Sequence, residues 1–211
     1  MTLLDELCMA IEEGHPNDTV QLVTKLLEEG IEPVCIVEEA IVPTMQKIGE
    51  NYNRGELDIP HILTAARSVQ KGFETIRELR KDYQEQERGT IILGTVEGDL
   101  HDVGKNLVAM MLRGVGFRVI DLGVDVSEQQ FLRAIKEHAD VSIVCVSSLL
   151  STSLPDMKRV VKGLRKKDPK RRYKIMVGGG AVTRELAASI GADGYTENCV
   201  EAVEMAKQFM E

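Results

Sequence analysis

From Gly89 onward the sequence alternates five times between a short apolar run and a longer amphipathic segment. The runs Thr90–Thr95, Arg118–Leu122, Val141–Ser147, Lys174–Val177 and a short one near Gly194-Tyr195 predict strands. The segments Gly104–Val115, Ser127–Lys136, Leu154–Lys166, Thr183–Ile190 and Cys199–Met210 carry helical periodicity. Strand–helix alternation repeated in this way predicts an α/β domain, a doubly wound parallel five-stranded sheet of flavodoxin-like (Rossmann-type) order. In such a sheet a ligand binds at the carboxyl ends of the strands, at the switch point between the first and third.

The preceding 85 or so residues read as wholly helical. Leu3, Leu4, Leu7 and Ile11 recur at helical spacing behind Thr2, a candidate N-cap. Gly14 to Asp18 breaks that helix, and a second follows with Val20, Leu22, Val23, Leu26 and Leu27 on its apolar side. Gly30 ends it, and Pro33 opens a third helix that runs to Asn53 with a kink at Pro43. A loop from Gly55 leads to Pro60, the first-turn proline of a fourth helix through Tyr83. Four helices with short connections predict an antiparallel bundle. The polar stretch Lys81–Gly89 reads as a linker, dividing a helical cap domain (1–88) from a sheet domain (89–211).

Charge follows the same division. Residues 1–88 hold 9 Lys/Arg against 18 Asp/Glu, and residues 89–211 hold 17 against 16. With no basic face in the first half, nucleic acid is not the expected partner. Ten Lys/Arg lie between Lys158 and Lys174, spaced as a solvated outer face. No apolar run approaches the ~20 residues that span a bilayer, and Met-Thr-Leu-Leu-Asp-Glu lacks the features of a secretory signal. Cys8, Cys35, Cys145 and Cys199 form no paired motif. A cytoplasmic protein with neither zinc site nor disulfide framework and no membrane partner is the expectation.

The chemistry gathers where the first strand ends, in Asp99-Leu100-His101-Asp102-Val103-Gly104. A histidine at a strand exit can reach a ligand above the sheet edge, and a carboxylate two residues earlier can hold its other ring nitrogen. Asp102 reads equally as a helix N-cap or as part of the site. The third strand leads into Ser147-Ser148-Leu149-Leu150-Ser151-Thr152-Ser153, where at least one hydroxyl reads as a cap for the next helix. The fourth ends in Gly178-Gly179-Gly180, either a tight turn or a place where backbone approaches a ligand. The P-loop pattern fails, since Gly98 to Gly104-Lys105 has five intervening residues and is followed by Asn106, and the lack of a GxGxxG after the first strand argues against a dinucleotide fold.

These residues resemble the DxHxxG signature of cobalamin-binding domains, with Ser147–Ser153 and Gly178-Gly179 matching that family's later motifs in order and spacing. Glu38 and the segment from Gly49 to Pro60 resemble the helical cap of cobalamin-dependent methionine synthase, and the whole chain is similar to the small corrinoid proteins of anaerobic methyltransferase systems. The resemblance implies a corrinoid bound base-off, with His101 as the lower axial ligand of cobalt in a His101–Asp99–Ser153 relay. It implies cofactor contacts from Gly98 through Gly104 and a nucleotide tail running past Ser147, Leu149, Ser151 and Gly178–Gly180. Asn198 and Cys199 would close the lower pocket, while Glu38, Tyr52 and Ile59 would line the reactive face. Tyr52 and Ile59 stand where methionine synthase has phenylalanine and leucine, and Gly180-Ala181 replaces the family's Ala-Pro.

By the same resemblance the protein is a methyl carrier without catalysis of its own, loaded with methylcobalamin in turnover. Its partners would be a substrate-specific methyltransferase, a second methyltransferase with a pteridine or thiol acceptor, and a reductive activase. A small subunit of an adenosylcobalamin mutase shares the lower domain but typically lacks this cap. A cobalamin-sensing regulator is a third reading, weakened by the absence of tryptophan.

Overall fold

The computed structural model describes residues 2–80 and 88–211, so most of the expected linker lies outside the described residues. The chain divides into two compact units: one takes residues up to Gln86 together with Arg113–Gly116, and the other takes the rest.

The first unit is helical. α1 (Leu3–Glu12) starts on a capping box in which the Thr2 hydroxyl accepts the Asp5 N–H and the Asp5 carboxylate accepts the Thr2 N–H. α2 (Pro16–Glu28) packs along α5 (Ile59–Leu79), which is capped by Asp58. Between them the expected single kinked helix is three segments: α3 (Pro33–Ile36), a π turn over Val37–Ile41, and α4 (Val42–Asn53). The reason is Pro43, which has no N–H and whose ring would strike the carbonyl four residues back, that of Glu39. The π turn, closed by the Val42 N–H on the Val37 carbonyl, absorbs the misfit without ending the helix. Leu7, Ile11, Ile36, Ile41 and Ile76 are fully buried at its centre.

The second unit is a five-stranded, all-parallel sheet in the order β2-β1-β3-β4-β5. Its strands are β1 (Thr90–Thr95), β2 (Arg118–Asp121), β3 (Val141–Ser147), β4 (Lys174–Gly178) and β5 (Gly194–Thr196). The helices between and after them are α6 (Val103–Gly114), α7 (Glu128–Glu137), α8 (Leu154–Lys167), α9 (Arg184–Ile190) and α10 (Cys199–Met210). Each expected strand and helix is present, with ends shifted by a residue or so. Ile92, Val144, Val146, Ile175 and Val177 bury one face of the sheet under Phe131, Val160, Val161 and Ile190. Thr95 at the end of β1 pairs with Ser147 at the end of β3, so the loops leaving these strands emerge side by side. Among the described residues no helix is long and apolar enough to cross a membrane, and all four cysteines are free thiols.

Candidate functional site

The β1 and β3 loops meet on one carboxylate. Asp99 is fully buried, and each of its oxygens accepts several donors. Oδ1 takes the His101 N–H at 3.0 Å and lies 2.7 Å from His101 Nδ1. Oδ2 takes the Leu149 N–H at 2.7 Å and the Leu150 N–H at 3.2 Å, and the Ser153 hydroxyl oxygen lies 3.4 Å away. Burial alone would raise this carboxyl. The hydrogen bonds from the His101 backbone and ring and from the Leu149 and Leu150 N–H groups outweigh it and hold Asp99 down at about 2.

The state of His101 follows. An ionised carboxylate only accepts, so Nδ1 carries the proton facing Asp99. In the neutral ring Nε2 then holds a bare lone pair, the arrangement of a metal-binding imidazole oriented by a carboxylate. The ring is 52% exposed, and Nε2 has no hydrogen-bond partner among the described residues. Thr95 steadies the loop by donating its hydroxyl to the His101 carbonyl at 3.0 Å.

Four large apolar side chains on these loops face outward: Leu100, Val103, Leu149 and Leu150. Gly104, in the first turn of α6, has ordinary helical backbone, and a Cβ built on it would meet nothing within 4 Å. No packing inside the protein requires glycine there. The open space at Gly104, the exposed apolar side chains and one bare imidazole nitrogen fit a large apolar group carrying a metal that His101 could hold.

The hydroxyl loop departs in detail from the sequence reading. Ser153 is buried, and its hydroxyl lies 2.7 Å from that of Ser148, which is fully buried and was not among the expected site residues. Ser153 precedes α8 without capping it; its hydroxyl turns back to the Leu150 carbonyl at 2.9 Å. Ser147 is half-buried at the end of β3, and Ser151 is exposed in a 3-10 turn.

The glycines at the end of β4 have internal reasons. A Cβ on Gly179, at φ +114°, would lie 2.2 Å from the Ser148 carbonyl oxygen, and one on Gly178 would lie 2.9 Å from the Thr196 carbonyl oxygen. The backbone they approach is the protein's own. Gly180 is exposed, and its Cβ would meet only the flexible end of Leu149. Asn198 caps α10, accepting the Val200 and Glu201 N–H groups at 3.0 and 2.9 Å. Cys199 is buried, which pushes its thiol up to about 11. Asp102 is exposed and accepts the Asn106 side-chain amide at 3.1 Å. Gly98 and Leu100 complete the loop. In the helical unit, Glu38 is exposed in the π turn, Tyr52 is half-buried in α4, and Ile59 opens α5 with its side chain exposed.

Lys105, Asp121 and Asp125 were not read as functional, although all three surround the histidine loop. The Lys105 ammonium is buried and bound to both oxygens of Asp121 at 2.7 and 2.6 Å. Helical phase offered a signal, since Lys105 lies four and seven residues before the buried Ala109 and Leu112.

Family models described as B12 binding domain match residues 89–204 and residues 3–77. The chain is 34% identical over 213 residues to a corrinoid protein of Desulfitobacterium hafniense strain Y51, covering 100% of this chain and 98% of that one. It is 36% identical to the dimethylamine corrinoid protein of Methanosarcina barkeri, covering 99% and 97%. The crystal structure of a methanol:cobalamin methyltransferase complex from Methanosarcina barkeri superposes with a TM-score of 0.85 at 26% identity, covering 99% of this chain and 79% of that one.

Proposed function

This chain belongs to the B12-binding domain family, and from that premise we propose that it is the corrinoid protein of a methyltransferase system. It holds cobalamin base-off with His101 as the lower ligand and carries a methyl group from a substrate methyltransferase to an acceptor methyltransferase. The observation that carries this reading is the His101 ring, fixed at Nδ1 by an ionised, buried Asp99 and bare at Nε2. Support also comes from relatives named dimethylamine corrinoid protein and from likeness to a methanol:cobalamin methyltransferase complex.

When bound, the corrinoid supplies a cobalt atom that accepts and releases the methyl group. The chain's own residues set the lower face. Asp99 keeps the proton on Nδ1 and the lone pair on Nε2, so the ring is ready to bind metal without a tautomer change. The same two contacts, from the His101 N–H at 3.0 Å and from Nδ1 at 2.7 Å to Asp99 Oδ1, would hold the ring in one orientation towards the metal. The Ser153 and Ser148 hydroxyls, 2.7 Å apart, would continue the relay behind Asp99. Leu100, Val103, Leu149 and Leu150 give the ring plane an apolar seat, and Gly104 leaves room for it.

The helical unit would serve as the cap that the resemblance implies, supplying Glu38, Tyr52 and Ile59 to the methyl face. The partners are a methyltransferase specific for the methyl donor, a second one with a pteridine or thiol acceptor, and a reductive activase.

The test is electron paramagnetic resonance of the protein reconstituted with cobalamin and reduced to the Co(II) state. A histidine-nitrogen coupling should appear and vanish in His101→Ala, which retains part of the cofactor. A nitrogen coupling unchanged by that substitution refutes the ligand assignment.

A further inference from the structure

The loop that follows β2 grips the histidine loop at both ends. Asp125 sits there at φ 57°, a left-handed conformation that Arg171 alone shares among the described non-glycine residues. Glycine takes such a backbone freely, and aspartate is one of the few other residues to tolerate it. What aspartate adds is a carboxylate. Its Oδ1 accepts the Gly98 N–H at 2.7 Å, while the Asp125 N–H donates to the Asp99 carbonyl at 3.1 Å. One residue thus bonds to both neighbours across the Gly98–Asp99 peptide.

The second grip lies at the other end of Asp99–Gly104. Lys105 directly follows Gly104, and its side chain is 2% exposed. Its ammonium binds both oxygens of Asp121, the last residue of β2, and the Asn106 side-chain oxygen at 2.6 Å. Asn106 in turn donates its amide to Asp102 at 3.1 Å and its backbone N–H to the Asp102 carbonyl at 2.7 Å. A lysine so far out of water is retained only where paired, so its geometry is tightly set. Asp121 also takes the Gly123 N–H at 2.9 Å, which ties the lysine's partner to the same loop as Asp125.

We propose that the β2–α7 loop is a positioning clamp for the axial ligand: Asp125 and the Asp121–Lys105 pair fix the two ends of Asp99–Gly104 and so fix where His101 presents Nε2. Neither grip touches the imidazole. A loop ordered in advance loses little freedom when its ring binds metal, which favours the ligated state and a single ring orientation. The inference rests on His101 being the lower ligand.

The decisive variant is Asp125→Gly. Glycine accepts the backbone angle, so a residue needed for conformation alone would be replaced without loss. The clamp predicts instead that the His101 amide, bonded to Asp99 rather than to Asp125, exchanges about tenfold faster or more in the apoprotein by NMR. In the cobalamin-loaded Co(II) protein the nitrogen coupling should weaken or become heterogeneous. Asp125→Asn, whose amide oxygen can still take the Gly98 N–H, should restore both. Lys105→Met, which keeps the apolar stem and removes the ammonium, should speed the Asn106 amide by about tenfold and serves if the glycine variant fails to fold. Exchange within about twofold of the parent in both Asp125→Gly and Lys105→Met overturns the clamp. Absence of nitrogen coupling in the parent protein overturns the ligand reading instead, and the apoprotein exchange still judges the clamp on its own.

Discussion

Gly104→Ala separates what the fold needs from what a ligand needs. The residue lies in the first turn of α6, where glycine is less favourable than alanine by up to about 1 kcal/mol in a helix interior and by roughly half that so near the end. Its Cβ would meet nothing within 4 Å, so no clash offsets the gain. The apoprotein should therefore become more stable by about 0.5 kcal/mol. Cobalamin binding should move the other way. A methyl group placed under a close-fitting ligand overpacks by about 1–3 kcal/mol, which is roughly a tenfold to hundredfold loss of affinity. Gly179→Ala is the control with opposite logic. Its φ of +114° and a contact of 2.2 Å to the Ser148 carbonyl make any side chain there a backbone collision. Relieving it must part Gly178 from Ser148, whose N–H···O bond is 3.1 Å long, so about 3 kcal/mol or more of apoprotein stability should go. Urea unfolding of the three apoproteins and a spectrophotometric cobalamin titration measure both effects. A Gly104→Ala protein that binds cobalamin as tightly as the parent refutes the reading of that glycine as ligand space.

Two further expectations follow from buried groups. Asp99 falls from an ordinary 3.8 to about 2 on folding, so its contribution is fully present above about pH 4 and is lost as pH drops towards 2. That difference corresponds to ~2.5 kcal/mol, of which about 1–2 should survive screening beside the half-exposed imidazole. Urea unfolding of the apoprotein between about pH 6 and pH 3 should thus show a shallower acid decline in Asp99→Asn, and parallel declines would remove Asp99 from the account. Burial pushes the Cys145 and Cys199 thiols up to about 12 and about 11. A maleimide at neutral pH should label only the half-buried Cys8 and Cys35 in the native protein, as read by mass spectrometry; labelling of Cys145 without denaturant would contradict the packing of β3.

The parts of this molecule legible in sequence are those fixed by short-range pattern. Buried strands such as Val141–Ser147 read as apolar runs because both faces are covered, and the Thr2 capping box is written within four residues. The π turn before Pro43 was not legible as such. Proline announces a misfit, but whether the helix kinks, stops or widens by one residue depends on what packs around Ile36 and Ile41. In the site, the Asp99–His101 contact spans two residues and could be read directly. The bonds from the Leu149 and Leu150 N–H groups to Asp99 span about fifty and exist only because β1 and β3 pair in one register. Ser148 was passed over for the same reason: only the fold shows which hydroxyl in the serine run points inward. The triple glycine signals close approach but not to what, since a required absence of Cβ looks the same beside a ligand or beside Ser148.

Asp99 makes structure and chemistry inseparable at one atom pair. Oδ1 sets the histidine's proton, and Oδ2 holds the β3 loop through two N–H groups. Any substitution of Asp99 therefore disturbs the loop as well as the ring, and lost cofactor binding in such a variant would not assign a role. Ser153 divides the two functions better. Its hydroxyl lies 3.4 Å from Asp99 and within bonding distance of the Leu150 carbonyl and Ser148, so its removal leaves the Leu149 and Leu150 anchors in place. The loss falls on the hydroxyls behind Asp99 rather than on the bonds that fix His101. Ser153→Ala therefore removes the hydroxyl behind Asp99 while the position of the histidine loop stays constant.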